Sequence, residues 1–417
     1  MNKLTKIASG CMLALVAGQS AAAGFQLNSQ SATGIGRAFA GDAVIADNAS
    51  VLSRNPAAMA MFNAPAFSGG LTFADIQVDV KNASVNDAEL GSISDAADAK
   101  VIPNLYYIHP LSDNFAVGSA LFSNYGTGTN TNSLITAANA PLDLLGETEV
   151  TTINWNLSAS YRINEQLSVG AGIDIIYGEG YLQRGQGAIV DVDASGIGLG
   201  AILGATYEFN ANHRIGLSYR FSPSIQADGT IDVFNTTVGT TVSFDEIEVP
   251  VADIFQVAGF HQLTPVWAMH YTLQWTQWST FDSIELTDGY IGNTSVGNGT
   301  LKEYHWKDSW FTSLGTTYNV NDLFSVRAGI AYDQGVTDEL TSVSIPDSDR
   351  IWYSVGATMK LSNQSSLDFG FAHVSAKAAD VEEKSELLSL LAPNDIFLTA
   401  TTKSSANYFS VQFNHQF

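Results

Sequence analysis

The sequence predicts an all-β protein: a transmembrane antiparallel β-barrel of about 14 strands, with an N-terminal, partly helical hatch plugging its lumen. Three observations predict this fold class. Apolar and polar residues alternate over many segments, short turns alternate with long loops, and the chain ends in an aromatic strand. A soluble β-sandwich also alternates, so the first observation does not decide between the two classes by itself.

Residues 151–162 show the alternation most clearly. Ile153, Trp155 and Leu157 are separated by Asn154 and Asn156. A period of two residues indicates a strand with one apolar face and one polar face. The same pattern recurs at 167–177, 215–221, 267–275, 324–332, 351–361 and 409–417.

The spacing of the turns favours the barrel. Short turns rich in Asn, Asp and Pro recur roughly every 40 to 60 residues, at 112–114, 164–165, 210–212, 264–265, 321–322 and 362–363. Longer polar loops lie between them, as in outer-membrane barrels, which have short periplasmic turns and long external loops. Two strands for each of the five intervals, with a further pair at each end of the series, give about 14 strands, and the alternating Phe409, Val411, Phe413 and terminal Phe417 resemble the assembly signal of such barrels.

Three regions follow from the N-terminal composition. Residues 1–22 form a predicted signal peptide, because Lys3 and Lys6 precede an apolar run and small residues. The only cysteine, Cys11, falls within it, so we expect no disulfide or thiol chemistry in the mature chain. Residues 23–64 are the predicted hatch, since they do not alternate and Asn55-Pro56 is typical of a helix start. Residues 65–417 form the predicted barrel.

Composition and motifs exclude several functions. The 18 Lys and Arg residues stand against 41 Asp and Glu residues, a net charge of -23 that argues against a nucleic-acid partner. No serine elbow, zinc-protease motif or phosphate loop occurs, so we expect no catalytic residue, metal site or cofactor. A Ser/His/acid site assembled across strands, as in a lipid hydrolase, stays open as an alternative.

Aromatic residues near the strand ends predict interfacial girdles: Tyr106, Tyr107, Trp267, Trp275, Trp278, Tyr304, Trp306, Trp310, Trp352 and Tyr353.

Short motifs are spread over the mature chain at 24–28, 34–38, 53–57, 123–126, 278–281, 307–308, 314–318, 344–347 and 349–350. Together they resemble the FadL family of outer-membrane long-chain fatty acid transporters. The resemblance implies a fourteen-stranded barrel with a hatch, in the outer membrane of a Gram-negative bacterium. It also implies uptake of hydrophobic substrates without an energy source.

The same resemblance implies a set of gating residues. Phe25 is expected to reach into an apolar luminal pocket. Asn55, Pro56 and Ala57 are expected in the hatch, close to an inward kink of the third strand at Gly126. The kink would form a lateral opening through which the substrate passes into the outer-membrane lipids.

The resemblance also implies that Arg184 and Lys302 bind the carboxylate of the ligand. Odd-numbered apolar residues of the fifth strand face outward, so the even-numbered Arg184 is expected to face the lumen. In the tenth strand, Trp306, Trp310 and Tyr318 indicate that even positions face lipid. Lys302 is therefore expected above the membrane or beyond a bulge, with Lys307 as the alternative; solvated cations at the rim are the other interpretation.

The predicted function is uptake of long-chain fatty acids by ligand-gated passive diffusion in a monomer. The alternatives are transport of neutral compounds such as monoaromatic hydrocarbons, lipid hydrolysis, and a nonspecific porin, which would need no plug. Two departures from the family affect the access route. The connection after Arg184 is short, and the last external loop, residues 379–404, is long and partly helical in pattern. The apolar spacing of 380–391 is compatible with short helices, and a loop that packs on itself is the other interpretation.

Overall fold

The computed structural model describes residues 24–136, 139–337 and 341–417, and the predicted signal peptide lies outside this range. The described residues form fourteen antiparallel strands, several of them interrupted, and β1 pairs with β14 to close the barrel. This confirms the predicted fold class. The strands are β1 (Ala66–Val85), β2 (Ala88–Ile93 and Lys100–Pro110), β3 (Phe115–Phe122 and Gly126–Asn130), β4 (Gly146–Arg162), β5 (Leu167–Arg184), β6 (Val190–Asn210), β7 (His213–Phe221 and Ser224–Asn235), β8 (Thr240–Ser243, Glu246–Pro250 and Ile254–Thr264), β9 (Trp267–Thr276 and Ser283–Ile291), β10 (Thr294–Glu303 and Ser309–Asn319), β11 (Phe324–Asp333), β12 (Arg350–Lys360), β13 (Ser365–Ala376 and Ala379–Ser385) and β14 (Ile396–Gln416).

The wall of the barrel is apolar outside and polar inside. In β4, Trp155 and Leu157 are 45% and 43% exposed, whereas Asn154 and Asn156 are fully buried. A soluble sandwich would place these two faces the other way round. The apolar outer face is the one that a lipid bilayer covers, and the polar inner face is typical of the lumen of a membrane barrel. No helix of the described residues is long and apolar enough to cross a membrane.

The aromatic girdle prediction is half wrong. Tyr107, Trp267, Trp310 and Tyr353 are exposed on the outer face, as predicted. Other members of the predicted girdles point into the lumen because they fall on inward positions or follow interruptions of β9 and β10, where the alternation breaks. These luminal aromatics are Tyr106, Trp278, Tyr304, Trp306 and Trp352.

Residues 24–64, here called the N-terminal segment, lie inside the barrel and are nearly all buried. They contain a short helix, α1 (Ala32–Ile35), and two 3-10 helices (Ala49–Ser53 and Pro56–Met61). The side chains of Ser31, Asn48 and Asn55 accept hydrogen bonds from the first-turn N–H groups of these three helices. Short helices with capped ends satisfy their backbone groups locally, so the segment can fill the lumen without forming strands.

The last external loop corrects one prediction. Residues Ala379–Ser385 extend β13 and pair with β14, and a single helical turn, α2 (Glu386–Ser389), follows. Of the short helices that the spacing of 380–391 allowed, one turn is present, and residues 380–385 form a strand instead. Val381 and Glu383 are buried while Asp380 and Glu382 are exposed, which is strand alternation.

Candidate functional site

The pairing between β2 and β3 is interrupted above Leu105 and Leu121. The lower part of β3 pairs with β2, from Leu105↔Leu121 to Pro110↔Ala116. Above an interruption at residues 123–125, the described pairing of β3 is with β4 alone. Residues 126–129 are buried throughout, so this upper part bends inward, away from β2. The bend follows a bulge, because three residues lie between Phe122 and Gly126 where only two lie between their partners Asn154 and Thr151 on β4.

The beginning of the N-terminal segment pairs with the interruption of β3. Residues Gly24–Leu27 are here called the tip. The Gly126 N–H donates to the Phe25 carbonyl at 2.9 Å, and the Leu27 N–H donates to the Asn124 carbonyl at 2.6 Å. Gln26 forms an antiparallel bridge with Tyr125. The tip thus supplies backbone partners that β3 lacks at this point.

Phe25 anchors the tip in an aromatic cluster. Its ring lies 4.7 Å from Trp278, 5.1 Å from Phe281, 5.8 Å from Trp306 and 6.0 Å from Tyr125, measured between centroids. Only 2% of Phe25 is exposed. Edge-to-face aromatic pairs contribute about 0.5–1.5 kcal/mol each beyond their buried area. The cluster therefore holds the tip by packing, in addition to the backbone hydrogen bonds.

Two cavities meet at the tip. The larger holds about 810 Å³, counting the space at its mouth, and is lined by Phe25, Tyr304 and mostly aliphatic side chains of β4 to β10, with Glu149 and Glu179 among them. The smaller contains about 460 Å³ and is lined by Gly24 and by residues 127–129 of the inward part of β3. Ile345 lines both cavities. The tip and Ile345 therefore form the boundary between an apolar pocket and a smaller cavity that borders the inward part of β3.

Arg184 and Lys302 lie close together beside the larger cavity. Arg184 Nη2 donates to Thr148 Oγ1 and Ser344 Oγ, both at 2.8 Å, and Lys302 Nζ donates to Ser342 Oγ at 2.8 Å. Both serines belong to the loop between β11 and β12, and the N–H of Ser344 donates to the hydroxyl of Ser342. The structure thus brings the two predicted cations into one group. Lys302 also lies 5.3 Å from the centre of the Tyr304 ring, which lines the cavity.

A bulge explains why Lys302 departs from the inward and outward alternation of the lower part of β10, and a position beyond a bulge is one of the two that the sequence predicted. Even positions of β10 do face outward at Trp310 and Tyr318, which are 44% and 48% exposed. The pairing with β9 shifts by one residue between Thr300 and Lys302, and the strand is interrupted after Glu303. Because of both features, the inward and outward alternation of side chains in the upper part of β10 does not continue that of the lower part. Lys307, the alternative, lies in that interruption, where its backbone N–H donates to the Val336 carbonyl.

The Asn55 motif contacts the wall at β5 and β6. Asn55 Nδ2 donates to the carbonyls of Ala43 at 2.8 Å and Ala205 at 3.1 Å, while its Oδ1 accepts from the Ala57 N–H. A Cβ atom on Gly204 would lie 1.9 Å from Asn55 Oδ1, so the close approach requires glycine there. The expected contact between this motif and Gly126 is wrong. The 3-10 helix that starts at Pro56 meets β3 lower down, beside Gly118.

Ion pairs hold the middle of the N-terminal segment. The Arg37 guanidinium lies 3.0 Å from Asp42 and 2.7 Å from Asp47. Arg327 of β11 lies 3.6 Å from Asp47. Arg220 of β7 pairs with Asp174 and donates to the Ser53 carbonyl. These contacts join the segment to the wall well below the tip.

Several residues of the site were not predicted as site residues. Trp278, Ser342, Ser344 and Glu383 come from three separate strands or loops. Trp278 and Ser344 do lie in sequence motifs, at 278–281 and 344–347, but nothing in their spacing places them beside Phe25 or Arg184. Only the closed barrel brings them together.

Comparisons with known proteins agree with this architecture. The sequence model of a family described as "Outer membrane protein transport protein (OMPP1/FadL/TodX)" matches residues 13–417. The long-chain fatty acid transport protein of Salmonella typhi is 32% identical over 418 residues, which cover 91% of this chain and 93% of that protein. Outer membrane protein P1 of Haemophilus influenzae is 30% identical and covers 100% of both chains.

Solved structures show the same fold. A FadL homologue of Pseudomonas aeruginosa has a TM-score of 0.80 at 20% identity, covering 95% of this chain and 100% of that chain. The toluene transporter TodX of Pseudomonas putida has a TM-score of 0.66 at 17% identity, covering 89% and 94%.

Proposed function

Since the chain belongs to the outer membrane protein transport protein family (OMPP1/FadL/TodX) and is a transporter of hydrophobic compounds in the outer membrane, we propose that its substrates are long-chain fatty acids. Uptake proceeds by passive diffusion that the ligand itself gates. The protein acts as a monomer, and residues 23–64 are its hatch.

One observation carries the choice of substrate. Two cations and two serine hydroxyls, from Arg184, Lys302, Ser342 and Ser344, lie beside an apolar cavity. A carboxylate accepts charge-assisted hydrogen bonds from such donors. Each methylene that leaves water stabilises the bound acyl chain by about 0.8 kcal/mol. The arrangement therefore fits an amphiphile with one anionic head and a long apolar tail.

The gating step is displacement of the tip. A ligand that fills the larger cavity competes with the Phe25 ring for its aromatic neighbours, and leaving that cluster breaks the hydrogen bond from Gly126. Both cavities then join, because the tip forms their boundary. The substrate passes beside Gly126 and through the gap between β2 and β3 into the lipid. This route keeps the acyl chain out of water, which passage through an aqueous channel would not do.

Growth tests the proposed function. A host that lacks its own fatty acid transporter should grow on oleate as sole carbon source when this protein is supplied. Asn55→Ala, Pro56→Ala and Gly126→Val should each lower oleate uptake while the barrel stays folded and heat-modifiable. Uptake at the wild-type rate in all three variants would contradict the mechanism.

Neutral hydrocarbons are the second candidate class, because the structural relative TodX is a toluene transporter and the larger cavity is apolar. The two cations discriminate between the classes. Arg184→Met and Lys302→Met should weaken oleate binding and leave oleyl alcohol binding unchanged. Equal affinities for oleate before and after both substitutions would favour the neutral substrate.

A lipid hydrolase is the remaining alternative, and labelling by a serine-reactive fluorophosphonate would support it.

A further inference from the structure

The cation group already contains a carboxylate of the protein itself. Glu383 lies on the extension of β13 and is 7% exposed. Its side chain ion-pairs with Lys302, accepts from the Val343 N–H at 3.0 Å and accepts from the Ser342 hydroxyl at 3.3 Å. The ammonium that is proposed to bind the ligand is thus paired before any ligand arrives.

The position of Glu383 follows from the strand that carries it. Residues 379–385 pair with β14, so alternate side chains point inward, and Glu383 is buried where its neighbour Glu382 is exposed. A buried carboxylate is costly unless it is paired and hydrogen-bonded. Lys302, Ser342 and the Val343 N–H meet that requirement together.

Arg184 is placed differently. Its hydrogen bonds in the described structure go to the hydroxyls of Thr148 and Ser344 and to two backbone carbonyls, none of which carries a charge. It is buried, with 5% exposed. Two cations and one carboxylate therefore leave the group with a single positive charge, centred on the guanidinium.

We propose that Glu383 is a specificity residue that makes the head-group site selective for monoanions. The inference rests on the proposed function, in which Arg184 and Lys302 receive the head group. A carboxylate balances the one remaining positive charge. A dianion such as a phosphate monoester leaves an uncompensated negative charge beside Glu383, and like charges repel strongly where water is scarce.

Two amphiphiles of equal chain length test the selectivity. Laurate is a monoanion at pH 8, and dodecyl phosphate is mostly a dianion because its second pKa is about 6. Binding of each to the purified full-length protein is measured by calorimetry below the critical micelle concentration. The wild type should prefer laurate, and Glu383→Gln should tighten dodecyl phosphate binding about tenfold more than laurate binding. Glu382→Gln, the exposed neighbour, makes the same charge change and should alter neither affinity.

A rescue experiment separates charge balance from a merely structural role. In Lys302→Met, the charges of Arg184 and Glu383 cancel, so the group has no net charge. This variant should therefore bind laurate more weakly. The double variant Lys302→Met/Glu383→Gln restores one positive charge and should recover laurate affinity, which loss of a structural contact would not do. Unchanged oleyl alcohol binding and heat-modifiability show that the pocket and the barrel persist in each variant.

The outcomes distinguish the two proposals. If neither Arg184→Met nor Lys302→Met weakens laurate binding, the proposed head-group role itself fails. If they do weaken it, but Glu383→Gln leaves the ratio of the two affinities at its wild-type value or the double variant is not rescued, the role of Glu383 alone is overturned.

Discussion

The backbone N–H of Gly126 donates a hydrogen bond to the carbonyl oxygen of Phe25, with an N···O distance of 2.9 Å. This bond joins the segment that fills the lumen to the interrupted part of β3. Phe25 also lines the larger cavity, so one residue contacts both the proposed binding pocket and the proposed exit. A ligand that moves Phe25 thereby acts on β3 without any intermediate element.

Phe25→Ala should loosen the tip while leaving its backbone hydrogen bonds possible. Removing a buried phenylalanine side chain costs about 3–5 kcal/mol in well-packed sites. We expect higher conductance in planar bilayers and weaker oleate binding, because the ring also lines the pocket. Phe369→Ala is the matched control, since Phe369 is 44% exposed on the outer face. Conductance equal to that of the wild type would show that the tip does not close the lumen.

Asn55→Ala should weaken the contact between the N-terminal segment and β6. The substitution removes a helix cap and two hydrogen bonds to carbonyl oxygens, a loss of about 1–3 kcal/mol. Hydrogen exchange of residues 43–57 should become faster.

Gly204→Ala should have a similar effect, because the added Cβ would lie 1.9 Å from Asn55 Oδ1. Since both changes break the same contact, the double variant should show little more exchange than either single variant. Fully additive effects would mean that Asn55 and Gly204 act independently.

Asp47 makes the stability of the docked N-terminal segment depend on pH. Burial raises the pKa of Asp47, but Arg37 and then Arg327 outweigh this and lower the pKa from 3.8 to about 2. Because the pKa of Asp47 is lower in the docked segment than in the unfolded chain, the ionised carboxylate stabilises the docked segment above about pH 4. This contribution is lost as the pH falls toward 2. Bilayer conductance of the wild type should therefore rise between pH 4 and pH 2.

Asp47→Asn removes the same contribution at neutral pH. Its conductance should already be raised at pH 7 and should change less on acidification. Identical pH profiles for the variant and the wild type would assign the acid response to other groups.

Regular strands were predictable from the sequence because their two faces meet different solvents. Trp155 meets lipid and Asn156 meets the lumen, so the period of two is strict. Alternation alone did not predict the positions where strands break; the kink at Gly126 was expected only from the family resemblance. Lys302 turns inward at a bulge, and the residues after Ala379 pair with β14 instead of forming a helix. Both depend on the neighbouring strand, which local sequence does not specify.

The sequence predicted some of the residues that belong to the site, but it did not predict which other residues they contact. Asn55 was recognised as a helix cap, which is a local property, and it does cap the helix at Pro56. Its partner in the wall is Ala205, about 150 residues away in the chain, rather than the kink at Gly126. Nothing in the sequence around Glu383 predicted that it belongs to the site, because its role depends on the ion pair with Lys302, which only the fold brings close.

Locking the tip to the wall tests the central claim most directly. Gln26 and Tyr125 oppose each other in an antiparallel bridge, a geometry that brings Cα atoms within disulfide range. The only native cysteine lies in the predicted signal peptide, so the variant Gln26→Cys/Tyr125→Cys should form one defined crosslink. Oleate uptake should be blocked when the pair is oxidised and should return on reduction to the rate of the single variants. Equal uptake in the oxidised and reduced states would show that substrate passes without displacement of the tip.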